Sequence, residues 1–330
     1  MNTIRWGIMS SSRHAATSVI PAIHASPNGS VAAVASRDAA RAQAFATENN
    51  IPSHYDSYEA MLADPDLDAL YIPLPNNLHK EWAIRAAQAG KHVLCEKPLA
   101  LNASEAEEMV HAFRAAGRKL AEAFQWRHHP QPQRLRQMVQ DGVIGDIKLI
   151  EAGFSFTLAR PGDIRWDPAM GGGSLYDVGC YPLAFTRYIT GQEPCSVTAQ
   201  ADWAESGIDQ QVIATLQFPN GVMATINCAF TLPVRRYYSV TGTKGTLSVL
   251  RAYNLKEGDP AAIMHYGPDN DLVDTIRLAP QNSYTLMIQD FNQAILDDRD
   301  PLFPGDDAIM NMRVIDAVLK AAQEGGTVML

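Results

Sequence analysis

From residue 4 the chain alternates short apolar runs with longer stretches of mixed character. Residues 4–9, 30–35, 67–72, 92–95 and 119–124 are apolar-leaning and strand-length. Between them, 12–25 carries Ala16, Val19, Ile20 and Ile23 as a helical stripe, and 38–48, 58–63, 76–89 and 102–116 read as further helices. Strands separated by helices pair in parallel through right-handed crossovers, which predicts a doubly wound α/β domain of the nucleotide-binding kind over residues 1–125.

From residue 147 the period changes to two. Ile150, Ala152, Phe154, Phe156 and Leu158 share one face; Val197, Ala199, Ala201 and Trp203 alternate with Ser196, Thr198, Gln200 and Asp202. Val222, Ala224, Ile226, Cys228 and Phe230 do the same, after a hairpin-like Phe218-Pro219-Asn220-Gly221. This predicts a second α/β domain, 126–330, with a large, mostly antiparallel open sheet. Its outer face, rich in Thr, Gln and Asn, is expected to meet another subunit. Helices at 283–296 and 306–323 close the chain, the last placed back on the first domain.

Composition narrows the class. The 330 residues are 46% hydrophobic and 19% charged, enough for two globular cores. Net charge −9 disfavours a nucleic-acid surface. No apolar run is long enough for a membrane span, and the N-terminus lacks a leader pattern, so a cytoplasmic protein is expected. Cys95, Cys180, Cys195 and Cys228 are scattered without a C-x-x-C pair, and the histidines fit no zinc spacing, so no metal is expected.

Three stretches carry chemistry. In Gly90-Lys91-His92-Val93-Leu94-Cys95-Glu96-Lys97-Pro98 a strand ends in an acid, a base and a proline. Carboxyl ends of parallel strands form the ligand crevice, so Lys97 is a candidate for catalysis there; alone, Glu-Lys-Pro serves equally as a surface turn. The first strand-to-helix turn, Gly7-Ile8-Met9-Ser10-Ser11-Ser12-Arg13, has serines where a dinucleotide turn has glycines. They can donate to phosphate at a helix start, or act as a simple N-cap. After the second strand, Ser36, Arg37 and Arg41 suit a 2′-phosphate, favouring NADP, with NAD kept possible by Asp38. In the second half, Gly171-Gly172-Gly173-Ser174 leads into a predicted helix that sets Asp177 and Tyr181 four apart on one face. That pair fits proton transfer, or an ordinary hydrogen bond.

Together with Trp6-Gly7-Ile8-Met9-Ser10, Pro75-Asn76-Asn77-Leu78-His79 and Arg127-His128-His129-Pro130, these stretches resemble the Gfo/Idh/MocA oxidoreductase family across nearly the whole chain. The glutamate-lysine-proline and the glycine-led Asp/Tyr helix, about 80 residues apart, are jointly specific. The resemblance implies a Rossmann domain and an open-sheet domain that assembles as a homodimer or homotetramer. It looks like the branch of NADP-dependent D-xylose dehydrogenases and dimeric dihydrodiol dehydrogenases. It implies Lys97, Asp177 and Tyr181 as catalytic residues. Pro75, Asn76 and His79 would then lie near the nicotinamide, with Pro73, Leu74 and Glu96 also among the cofactor-binding residues; Arg127, Phe154, Arg165 and Trp166 would lie by a carbohydrate-like substrate, whose wall includes the 159–170 loop.

The expected reaction moves a hydride between a sugar carbon and NADP, with Tyr181 taking the hydroxyl proton and Asp177 turned to the sugar. Bringing a phenol from pKa about 10 to about 7 takes roughly 4 kcal/mol. A lysine charge at about 4 Å in an effective dielectric near 20 supplies on the order of that. A trans-dihydrodiol dehydrogenase or a dicarbonyl or anhydrosugar reductase, an NAD-using glycosidase and a non-catalytic NADP sensor are the competing readings.

Overall fold

A computed structural model describes residues 3–160 and 162–330. Met1, Asn2 and Pro161, the last within the expected substrate loop, lie outside the described residues. The chain forms two compact units, Met1–Gln125 with Tyr284–Ile309, and Trp126–Ser283 with Met310–Leu330.

The first unit is a six-stranded parallel sheet, β1 (Ile4–Met9), β2 (Gly29–Ala35), β3 (Ser53–Tyr55), β4 (Ala69–Ile72), β5 (His92–Cys95) and β6 (Leu120–Glu122), in the order 3-2-1-4-5-6. The short β3 has no apolar run and escapes the sequence pattern. The order reverses between β1 and β4, so the ends of those strands, Met9 and Ile72, open the crevice. Helices start where polar caps permit: Asp38 accepts from Arg41 N, Ser57 from Ala60 N and Asn102 from Glu105 N. Helix Ser283–Leu296 returns to this sheet: Phe291 packs 5.6 Å from Trp6, and Trp6 Nε1 donates to Asn292 Oδ1 at 3.0 Å; the first turn of the last helix, Gly305–Glu324, belongs to this unit too, with Gly305 against Val110 and Leu120. An indole N–H buried without that acceptor would cost about 1–3 kcal/mol, which fixes Asn292 in an otherwise apolar helix face.

The second unit is a nine-stranded sheet: β7 (Ile147–Thr157), β8 (Ser196–Trp203), β9 (Asp209–Gln217), β10 (Met223–Ala229), β11 (Thr231–Gly242), β12 (Thr246–Val249), β13 (Ala261–Tyr266), β14 (Leu272–Leu278) and β15 (Thr327–Met329). Their order is 14-13-12-11-7-10-9-8-15, with β7 and β10 parallel and the other pairs antiparallel. Gly221 at φ +81° makes the β9–β10 hairpin, and Phe218 N donates to Val222 O. β11 is not legible in the sequence, because Pro233 and the Arg235-Arg236 pair break its alternation and its register on β7 shifts there.

Two predicted straight helices are not straight. The stretch after β1 contains a π turn, Ala15–Val19, before α-helix Ile20–Ala25, and the Asp/Tyr helix begins with a π turn, Leu175–Gly179, before Cys180–Thr190. In both a proline, Pro21 or Pro182, follows within three residues of the turn. Having no N–H, it cannot close its i→i−4 bond, and the wider turn accommodates the gap.

Candidate active site

In the first unit the crevice residues gather at the ends of β1, β2, β4 and β5. Ser10 takes φ 150°, a backbone region that favours glycine, and leads into the half-buried Ser11 and Ser12. Ser12 caps the helix start, its Oγ accepting from Ala15 N at 3.4 Å; Arg13 is exposed. Arg41 Nη2 donates to Ser11 Oγ at 3.3 Å, drawing the β2 end to this turn. Asp38, the residue that kept NAD possible, spends its carboxylate on Arg41 N at 3.0 Å. Ser36 is buried and accepts from Asp38 N at 3.4 Å, while Arg37 hydrogen-bonds Tyr58, whose phenol burial pushes up. Two guanidinium groups and two hydroxyls with the nearby acid engaged fit a phosphorylated ribose.

Gly7 and Met9 have a different reason to be there. A Cβ on Gly7 would lie 2.7 Å from Leu70 Cδ2, and Met9 is fully buried, so their side-chain positions serve the core under the turn.

At the end of β5, Glu96 accepts from the Tyr71 hydroxyl at 2.5 Å and lies 3.5 Å from His14 Nε2. Burial alone would raise its carboxyl; the His14 bond and charge, the Lys97 charge and the Tyr71 bond outweigh that and hold it down to about 2. Lys97 is half-buried beside this fixed anion, and its peptide bond to Pro98 is cis. His79 is fully buried: Nδ1 lies 3.0 Å from Pro98 O and Nε2 2.9 Å from Leu74 O. His79 thus ties the Pro73–Asn76 loop to the Lys97-Pro98 loop, with Leu74 buried and Pro73, Pro75 and Asn76 half-buried.

In the second unit the glycine run is packed from several sides. A Cβ on Gly172 would meet Arg165 O at 2.5 Å, one on Gly173 would overlap Asp209 Oδ1, and one on Gly179 would meet Leu175 Cδ1 at 2.7 Å. Gly173 also takes φ +128°. Asp209, buried on β9, accepts from Ser174 Oγ at 2.8 Å and Leu175 N at 2.7 Å, holding the helix start; burial raises its carboxyl to about 6.

Asp177 is not left facing a sugar alone. Arg165 Nε donates to Asp177 Oδ2 at 2.7 Å, and Arg165 Nη1 to Asp163 Oδ1 at 3.1 Å. Arg165 is therefore the partner of the acid. Tyr181 is 4% exposed, 5.2 Å from the Phe154 ring and 5.3 Å from the Tyr253 ring. Arg127 is buried with its guanidinium 5.7 Å from the Trp126 ring, and Trp166 lies edge-on to Phe230 at 5.5 Å. Asp209, Tyr253 and Asn254 go unnoticed in the sequence, since each is a single polar residue without a motif. Among the described residues no group of three His, Cys, Asp or Glu could hold a metal ion, and no helix is long and apolar enough to cross a membrane.

These features define a nicotinamide-linked oxidoreductase architecture, and comparison with known proteins agrees. Residues 4–124 match the oxidoreductase family with an NAD-binding Rossmann fold, and 133–248 match the GFO/IDH/MocA C-terminal domain. The chain belongs to the GFO/IDH/MocA family. It is 38% identical over 328 residues to D-xylose 1-dehydrogenase (NADP(+)) 2 of Haloferax volcanii, covering 98% of this chain and 99% of that protein. It is 37% identical over 251 residues to a trans-1,2-dihydrobenzene-1,2-diol dehydrogenase of Sus scrofa, covering 75% and 74%. Among solved structures, a 3-ketoreductase from Actinomadura kijaniata in complex with NADP and TDP-benzene superposes with TM-score 0.92 at 31% identity, over 97% of this chain and 98% of that one. An aldose-aldose oxidoreductase from Caulobacter crescentus does so with TM-score 0.91 at 29% identity, over the full length of both.

Proposed function

We propose that this protein is an NADP-dependent dehydrogenase acting on a CH–OH group of an aldose or related polyol. The observation that carries the cofactor choice is the capture of Asp38 as a helix cap, while Ser36, Arg37 and Arg41 follow the end of β2 and Arg41 reaches Ser11 in the turn after β1. NADP, when bound, supplies the hydride chemistry. The chain's part is binding and proton handling. Serines 10–12 and the following helix start hold the pyrophosphate, and Arg37 and Arg41 hold the 2′-phosphate.

In the oxidation direction Tyr181 takes the proton of the substrate hydroxyl, and Lys97 is the second catalytic residue of the same reaction. Glu96 stays ionised beside Lys97. Arg165 keeps Asp177 from opposing the phenolate. The relatives named for D-xylose and for aldoses support a sugar substrate. A trans-dihydrodiol is the second reading, favoured by the Phe154 and Tyr253 rings packed beside Tyr181. The exposed Ile213 and Met223, on the sheet face opposite the buried Val212 and Ala224, support a homo-oligomer through that face.

The test is reduction of NADP, followed by absorbance, across aldoses, polyols and trans-dihydrodiols, with NAD in parallel. Turnover with an aldose and at least tenfold preference for NADP is expected. NADP binding without turnover on any substrate overturns the dehydrogenase reading, and preference for NAD overturns the role of Arg37 and Arg41.

A further inference from the structure

We infer that Asn254 is a positioning residue for Tyr181, presented by a strained turn that the aromatic cluster locks in place. The inference rests on the reading of Tyr181 as the proton acceptor. Tyr253 and Asn254 follow one another in the left-handed region, at φ 57° and 23°. Tyr253 is the one aromatic residue with positive φ among the described residues, and a bulky side chain there is a genuine outlier. Such strain persists only where the surroundings enforce it, and it gathers at functional sites.

The enforcement is visible. The Tyr253 ring is 2% exposed, stacked on Phe154 at 5.6 Å and 9°, and packed against Trp126 at 5.7 Å, Tyr238 at 5.8 Å and Tyr181 at 5.3 Å. Its hydroxyl is buried without a hydrogen-bond partner among the described residues. Burial of an unsatisfied hydroxyl is unfavourable, so this tyrosine is a poor choice for stability alone. With its ring fixed, the next residue has little freedom. Asn254, half-buried, takes a conformation that asparagine tolerates better than most residues, and its Oδ1 accepts from the Tyr181 hydroxyl at 3.5 Å.

An acceptor beside a phenol orients the O–H and favours the protonated form. Asn254 therefore sets both the direction of the hydroxyl and the pH at which it becomes a base. Tyr181 meets the titratable Tyr253 from the turn and the Phe154 ring from β7, and its own helix carries Cys180 and the Arg165-paired Asp177.

The variants Asn254→Asp, Asn254→Gly and Tyr181→Phe test this, using D-xylose, or the sugar in the panel that the wild type turns over, as probe. Asn254→Asp keeps the shape and adds a negative charge, so the pH midpoint of kcat for oxidation should rise by about one unit or more. The phenolate titration of Tyr181, read as the ultraviolet difference between a protein and its Tyr181→Phe counterpart, should rise with it and needs no substrate. Asn254→Gly suits the positive φ, so its melting temperature should equal or exceed that of the wild type while kcat falls about tenfold with KM little changed. Unmoved midpoints in Asn254→Asp, or full kcat in Asn254→Gly, would overturn the inference. Wild-type turnover by Tyr181→Phe would instead overturn the reading of the base, while the substrate-free titration still reports on Asn254.

Discussion

The two turns that feed the site helices look alike in sequence and are built on opposite principles. Both run small residues into a helix that opens with a π turn ahead of a proline. In the second unit the glycines at 172, 173 and 179 are each explained by protein atoms: Arg165 O, Asp209 Oδ1 and Leu175 Cδ1 occupy the space a Cβ would need. In the first unit the turn has half-buried serines, one of them at φ 150°, with Arg41 Nη2 on Ser11 Oγ and Ala15 N on Ser12 Oγ. One turn is closed by packed protein atoms, and the other is half-buried and lined by hydroxyls. A glycine-rich motif thus marks packing here, not a phosphate turn.

The contrast is broken most severely by Gly173→Ala. The new methyl meets the buried Asp209 carboxylate and the φ of +128° disfavours any side chain, so a loss of about 3 kcal/mol is expected in urea unfolding. A loss under about 1 kcal/mol would mean that this turn is as open as the first.

Asp209 offers a second test, in pH. Its folded carboxyl titrates at about 6 because burial opposes the charge, against 3.8 for an ordinary aspartate. The folded state therefore keeps a proton that the unfolded state has released, and this site lowers stability as pH rises from about 4 to 6, by on the order of 3 kcal/mol, then no further. An asparagine side chain cannot titrate, so the stability of the Asp209→Asn variant relative to wild type should climb across that window. Parallel curves for the two proteins would contradict the buried charge.

The smallest effect is expected at Ser10. Ser10→Gly relieves the backbone without touching a packed group, and should raise stability by about 1 kcal/mol, as strain relief slightly exceeds the entropy glycine adds to the unfolded chain. NADP affinity should stay within about threefold, read by fluorescence titration. Destabilisation would show that Ser10 is better accommodated than its φ suggests.

Much of this is legible in the chain. The strand and helix runs of the first half, the switch to period two at residue 147 and the Gly221 hairpin all follow from local rules. Lys97, Asp177 and Tyr181 stand out because each lies in a short motif. What stays hidden needs contacts distant in sequence. Asp209 meets Ser174 from 35 residues away and Asn254 meets Tyr181 from 73 away, and neither carries a local signature. The pairing of Arg165 with Asp177, twelve residues on, is hidden as well, because ion pairing across a loop has no fixed spacing. The partners of His79 are backbone carbonyls, which sequence does not display. The π turns do have a signal, Pro21 and Pro182 inside otherwise helical stretches.

The most direct measurement of the whole account is turnover of the best sugar substrate by Tyr181→Phe and Lys97→Met beside the wild type, with NADP affinity measured on the same samples. The account predicts that kcat falls by about a thousandfold or more in each while Tyr181→Phe binds NADP as the wild type does. Turnover within about tenfold of wild type in Tyr181→Phe, with the cofactor bound, would contradict it.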